Sequence, residues 1–311
     1  MKTMLHLLSR LGLVVLLAVL PAACKHKELC EDHSHMVTMR VRFDWSAAPE
    51  ATPRTMVLHL FAPDGSHYNR YEFSSPEGGL IRVHTGSYGL QFHNGDMEHF
   101  VERGSRYDNY EVTTDARDLL ATIGRGSAAP RPEDAKGQPV RFAPESIWAG
   151  CRDRFEVTAA TDQEVTLVPA EVTDFYTVEI RQVENLDKTS EIGAALTGMA
   201  ESYRPSSDSP AGGPVTLPID LTRVDSHTLS ASFAAFGHCF DTTQKHTLSI
   251  YTGDKVYFHF DVTAQLHEAE DPHHVQIVID HLKLPEPGSA GMDTSIKDWD
   301  DNVVEEDINM N

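Results

Sequence analysis

The sequence predicts an all-β protein built as two tandem β-sandwich domains divided near residue 171. Three observations carry this. Short runs of period-two alternation recur along the chain, turn-forming residues separate them, and no stretch sustains a helical period. Of the 311 residues, the 288 that follow residue 23 are a length that favours two domains over one.

The elements follow in order. Lys2 and Arg10 precede the apolar run "LGLVVLLAVL" (11–20), and small residues follow, as in the charged, apolar and cleavage regions of a secretory signal. The run is shorter than the roughly 18 apolar residues a bilayer-spanning helix needs. Residues 1–23 are therefore expected to be removed, leaving Cys24 at the mature N-terminus, and 24–35 forms a polar tether. The first sandwich spans 36–170. In "MVTMRVRFDW", Val37, Met39, Val41, Phe43 and Trp45 point one way while Thr38, Arg40, Arg42 and Asp44 point the other. "TMVLHLF" (55–61) is a strand apolar on both faces, "PDG" (63–65) turns it, and "YNRYEF" is the third. In 78–96, Ile81 and Val83 share a face, Gly86 turns the chain, and Tyr88, Leu90 and Phe92 share the next face. Asn94-Gly95 reads as a tight hairpin. Residues 124–146 read as a long loop, and "FEVTA" and "EVTLVPAEV" complete the unit.

The second sandwich spans 171–285. It opens with "FYTVEIRQV", where Tyr176, Val178 and Ile180 face a core. The glycines of 191–203 argue for a structured loop, and 203–214 has turn composition. "TLSASFAAF" and "HTLSIY" are strands. In 255–266, Val256, Phe258, Phe260, Val262, Ala264 and Leu266 alternate as one long strand after a Gly253-Asp254 turn. The acidic connection "HEAEDPHH" (267–274) then reads as a hairpin into "VQIVIDHLKL". Residues 286–311 are an acidic tail or a final strand, with Ile296, Trp299, Val303, Val304 and Ile308 as its apolar residues.

Composition excludes some functions. Losing Lys2 and Arg10 with the signal takes the formal charge from −21 to −23, which repels phosphate backbones, so nucleic acid is not an expected partner. Cys30, Cys151 and Cys239 are an odd set without a CxxC; buried free thiols are the favoured reading, with a Cys151–Cys239 bridge left open. No H-E-x-x-H, G-x-S-x-G or G-x-x-x-x-G-K motif is present, and nothing calls for a cofactor. Seventeen histidines stand out. "EDHSH" (31–35) and "HEAEDPHH" each mix imidazole with carboxylate, making His273 and His274 weak metal candidates against the simpler reading of solvated connections. His59 and His259 read as ordinary strand residues. Among the tryptophans, Trp45 is expected in the core, Trp148 follows a loop as a candidate ligand or partner contact, and Trp299 in the tail is a second.

A small residue directly before Cys24 resembles the bacterial lipoprotein signal, in which the Cys thiol is acylated; Pro21 departs from the Leu usual three positions before the Cys. "DHSHMVTMRVRFDW" after that Cys, "LIRVHTGSYGLQFHN", "LTGMAES" and the late Trp of "SIKDW", in this order, resemble a Bacteroidales family of fimbrillin-like lipoproteins related to type V pilus anchor and accessory subunits. The resemblance implies two transthyretin-like or immunoglobulin-like Greek-key sandwiches, a lipid anchor in the outer membrane at the cell surface or its periplasmic face, and no catalysis. It also implies fimbrillin-like subunits as partners, engaged by strand addition. A carbohydrate-binding surface lipoprotein is the alternative. If Cys24 is the anchor, Cys24→Ala should abolish labelling by a fatty-acid probe and release the folded protein from membranes, as read by fractionation.

Overall fold

A computed structural model describes residues 36–124, 129–239, 241 and 243–286. The signal, "EDHSH", Cys24, Cys30 and Trp299 lie outside the described residues. In chain order the strands are β1 (Met36–Phe43), β2 (Met56–Phe61), β3 (His67–Phe73), β4 (Gly78–His84), β5 (Gly86–Asn94), β6 (Phe100–Arg103), β7 (Glu111–Thr114), β8 (Trp148–Val157), β9 (Glu164–Leu167) and β10 (Ala170–Glu171). They continue as β11 (Asp174–Arg181), β12 (Ile192–Arg204), β13 (Ser209–Ile219), β14 (Thr222–Arg223), β15 (Leu229–Ala235), β16 (Thr247–Thr252), β17 (Tyr257–Asp261) and β18 (His274–Asp280). A short helix, α1 (Thr263–His267), precedes β18. The molecule is all-β, as its alternation predicts.

Two pairs of sheets form. A three-stranded sheet, β4-β1-β9, faces the five-stranded β10-β8-β5-β2-β3. Met39, Val41 and Phe43 of β1 pack there with Leu58 and Leu60 of β2 and Leu90 and Phe92 of β5. A four-stranded sheet, β14-β15-β11-β18, faces a six-stranded one made of β17-β16-β12-β7-β6 and of β13, which pairs with β12. Tyr176, Val178 and Ile180 of β11 meet Leu196, Leu248, Ile250, Phe258, Ile277 and Ile279 in that core. β6 and β7 precede residue 171 in the chain yet join the second pair of sheets, by Ser202↔Thr113 and Tyr203↔Val112.

This arrangement explains why β2 is apolar throughout. Met56, Leu58 and Leu60 face the first core, while the opposite face is covered by Tyr110, Val112, Ala200 and Tyr203, which pack with Phe61. Every residue of β2 is buried.

Four local expectations are corrected. First, residues 192–204 form a thirteen-residue strand, not a loop. Its register with β13 shifts between Leu196 and Met199, where Gly198 has φ +79° and a Cβ would lie 2.6 Å from His246 Nδ1. The glycine marks a bulge and a close approach within the strand, a position where glycine is normal. Part of the 203–214 segment is likewise strand: β13 pairs with β12 and on its other edge is bridged at Thr216, to Val140, and its Pro210, Pro214 and Pro218 fall at other positions.

Second, 255–266 is not one strand. β17 ends at Asp261, whose Oδ1 accepts the Thr263 N–H at 3.0 Å, and α1 follows. Val262 and Leu266 are buried while Ala264 is exposed, so the apparent alternation resolves into an i, i+4 pair. "HEAEDPHH" therefore belongs to the crossover between sheets and is not a hairpin. Third, Asn94-Gly95 makes no hairpin either, because β5 and β6 lie in different sheets. Asn94 instead accepts the Trp148 N–H at 3.0 Å. Fourth, Trp45 stands in a single 3-10 turn after β1, partly buried, with its Nε1 donating to the Pro76 carbonyl at 2.9 Å. Cys151 and Cys239 are free thiols, each half-buried, and form no bridge.

A charged network ties β6 and β7 to β12. Arg103 donates to both oxygens of Glu201 at 3.0 and 3.1 Å and to Glu111 Oε2 at 2.9 Å; Arg204 also pairs with Glu111, and Arg141 reaches Glu201 at 2.6 Å. The Arg103 guanidinium holds the Glu201 carboxyl below its ordinary value, and Arg204 and Arg103 do the same for Glu111 against the opposing effect of burial. A depressed carboxylate stabilises the fold fully above its unfolded value, about 4.3 for Glu, and that contribution is lost as pH falls through the folded value. Glu201→Gln should cost about 1.5–3 kcal/mol near neutral pH. The gap from the parent protein should persist through the ordinary carboxylate range and close only in melts at lower pH, as the depressed glutamates protonate.

Candidate functional site

The described candidates from the sequence do not converge. Trp148 opens β8 and is half-buried, with its ring edge-to-face against Trp45 at 6.3 Å and 82°. His273 and His274 are exposed and turn to different acids: His273 Nδ1 lies 2.6 Å from Asp174 Oδ1, and His274 Nδ1 lies 2.9 Å from Asp271 Oδ2. Among the described residues, neither joins a three-ligand cluster. His259 behaves as a strand residue, its Nδ1 2.8 Å from Ser249 Oγ.

His59 does more than fill a strand. It projects from the doubly buried β2 onto the face away from the first core, beside His93 of β5, and Glu102 of β6 reaches both from the next sheet. Alternation dictates the placement: Leu58, Leu60, Leu90 and Phe92 take one face, so His59 and His93 must take the other. His59 Nε2 lies 3.4 Å from Glu102 Oε2, and His93 Nε2 lies 3.3 Å from Glu102 Oε1. The Tyr110 hydroxyl sits 3.0 Å from each of these ring nitrogens. Behind them, His59 Nδ1 is 3.0 Å from His67 Nε2, and His93 Nδ1 is 2.7 Å from the Asn94 carbonyl oxygen. Arg70 of β3 donates to Glu102 from Nε at 3.2 Å and Nη2 at 3.1 Å.

Environment sets the charges. Burial pushes the His59 imidazole below its ordinary value and the Tyr110 hydroxyl well above its own. Two imidazoles, a carboxylate paired with Arg70 and a neutral phenol thus face one point. The signal in the sequence was a histidine inside an all-apolar strand; Glu102, in a four-residue strand without alternation, carried none.

A further histidine group lies in the second unit. His246 Nε2 is 3.0 Å from His267 Nε2, and the Tyr176 hydroxyl is 3.0 Å from His238 Nδ1. Burial pushes His238 down to about 4. At the surface the direction reverses: the Asp174 carboxylate raises His273 above its ordinary value. By NMR, His273 should titrate above 6.5, and Asp174→Asn should bring that titration down.

Comparison with known proteins places this geometry. The chain is similar in structure to a proposed adhesin from Bacteroides ovatus, at 15% identity and a TM-score of 0.63, over 85% of this chain and 97% of that one. It is also similar to the fimbrial anchor protein Mfa2 from Porphyromonas gingivalis, at 13% identity and a TM-score of 0.52, over 79% and 91%. A proposed polysaccharide-binding protein from Bacteroides thetaiotaomicron matches at 12% identity and a TM-score of 0.52, over 79% and 91%. At these identities the likeness is one of fold, and it bears out the fimbrillin-like resemblance at that level. No curated protein matches the sequence. A family model described as "Domain of unknown function (DUF5119)" matches residues 23–220, more than half of the chain, and the chain belongs to that family.

Proposed function

We propose that this chain is a non-enzymatic, lipid-anchored protein of the cell envelope that serves a fimbrial assembly as an anchor or accessory subunit. The observation that carries the reading is a likeness of fold to a fimbrial anchor protein, over 91% of that protein's length. The lipoprotein-type signal ending at Cys24 supports it, since acyl chains on one cysteine supply a stable membrane attachment when two or more are present. No helix among the described residues is long and apolar enough to cross a membrane. Subunit contact would use strand addition at an open sheet edge, with main-chain hydrogen bonds giving affinity and alternate side-chain pockets giving specificity. The apolar residues around Trp299 fit that use, either closing the second sandwich or pairing with a neighbour. A carbohydrate-binding role is the second reading, favoured by the half-buried Trp148 and Trp45 rings.

Surface fimbriae counted by electron microscopy on cells lacking this protein test the proposal. Cells without it, or with Cys24→Ala, should shed fimbriae into the medium or fail to hold them. Deleting residues 292–311 should reduce capture of fimbrillin-like subunits. Normal fimbriation in all three strains, together with glycan-array binding lost in Trp148→Ala, would select the carbohydrate reading instead.

A further inference from the structure

We propose that His59, His93 and Glu102 form a binding site for a divalent transition-metal ion, zinc being the best match to the donor set. One ligand atom from each residue falls within 4.8 Å of the others. Around a tetrahedral ion held at about 2.0–2.1 Å, neighbouring ligand atoms stand about 3.3–3.4 Å apart. The carboxylate oxygens already stand 3.4 Å from His59 Nε2 and 3.3 Å from His93 Nε2.

Tautomers favour the same conclusion. The Asn94 carbonyl can only accept, so the proton of a neutral His93 sits on Nδ1 and its Nε2 lone pair faces Glu102. His59 can donate from Nδ1 to His67 Nε2, which leaves its own Nε2 lone pair facing the same point. An imidazole whose far nitrogen donates to an outer partner is the usual support of a metal-binding histidine. With these tautomers, two lone pairs face one phenol proton, that of Tyr110, which can satisfy only one of them, and the Glu102 carboxylate stands against both. Arg70 supplies donors to Glu102 but none to the imidazoles. A cation at the convergence point would satisfy both nitrogens and the carboxylate together.

Burial opposes the alternative of a doubly protonated His59, whose side chain is 3% exposed. Access lies at the carboxylate end, because Glu102 is 24% exposed whereas His93 is 1% exposed. Two imidazoles and one carboxylate suit zinc chemistry and leave a fourth position for water or for a ligand from a partner. The ligands come from β2 and β5 on one side and β6 on the other, so the ion would join the first sandwich to the sheet of the second.

The test uses the full chain in detergent, stripped with a chelator and titrated with zinc by calorimetry and with cobalt by visible absorption. The expected result is one equivalent bound at micromolar affinity or tighter, the absorption of tetrahedral cobalt, and a melting temperature several degrees higher with zinc. Glu102→Gln, which keeps size and hydrogen bonding, should weaken zinc at least tenfold and abolish the shift in melting. The double variant His273→Ala/His274→Ala should bind as the parent does. Absence of stoichiometric binding by the parent chain, or binding lost in the double variant and unchanged in Glu102→Gln, would overturn the site. None of these readouts depends on a fimbrial role, so the two proposals stand or fall separately.

Discussion

Burial of one sheet on both faces is the constraint from which most of this molecule follows. β10-β8-β5-β2-β3 presents Leu58, Leu60, Leu90 and Phe92 to the first core and covers its other face with residues of β7 and β12. β3 and much of β8 meet solvent, but at β2 and the second half of β5 both faces are covered and no solvated side is left for polar groups. His59, Gln91, His93 and Asn94 are nevertheless there, none more than 2% exposed. Each needs partners, since an unpaired buried polar group costs on the order of 1–3 kcal/mol. Gln91 donates to the Tyr107 carbonyl at 2.6 Å, Asn94 bonds to residues 146 and 148, and the histidines take Tyr110, His67 and Glu102. The polar cluster is thus a requirement of the architecture as well as a candidate site.

The same constraint accounts for the interface between the two units. Covering the five-stranded sheet requires β6 and β7 to leave the first unit and pair with β12, a placement held by Arg103, Glu111, Glu201 and Arg204. Charges in such a place stabilise only when their geometry is good, and removing one partner leaves the other stranded. The network makes the position of β6 specific, and with it the position of Glu102, one residue before Arg103.

Alternation made the all-β class legible, together with the core faces of β1, β4 and β11, because one buried face against one solvated face writes itself as period two. It failed where that condition fails. β12 is buried on both faces and carries bulges, so its glycines resembled a loop. Val262 and Leu266 fit a strand and a helical turn equally, and the hydrogen bond to Asp261 decided between them. β6 and β7 are four residues each, too short for any period to show. The histidine cluster was missed: His59 read as an ordinary strand residue, and its partners come from elements brought together only by sheet pairing.

One feature of the topology concerns time more than stability. β1 lies parallel to β9, with Arg40 opposite Glu164, and β11 lies parallel to β18, with Phe175 opposite His274. In each unit, then, an opening strand waits for a closing strand roughly a hundred residues later. Such long-range pairing is slow to form, because the entropy of closing the intervening loop must be met before any contact rewards it. As the chain is made, N-terminus first, β1 has one edge unfilled until residues 164–167 arrive. The outer face of β2 stays uncovered until β12 does. The order of emergence thus leaves sheet edges and an apolar face open to other chains before the later strands of this chain can occupy them.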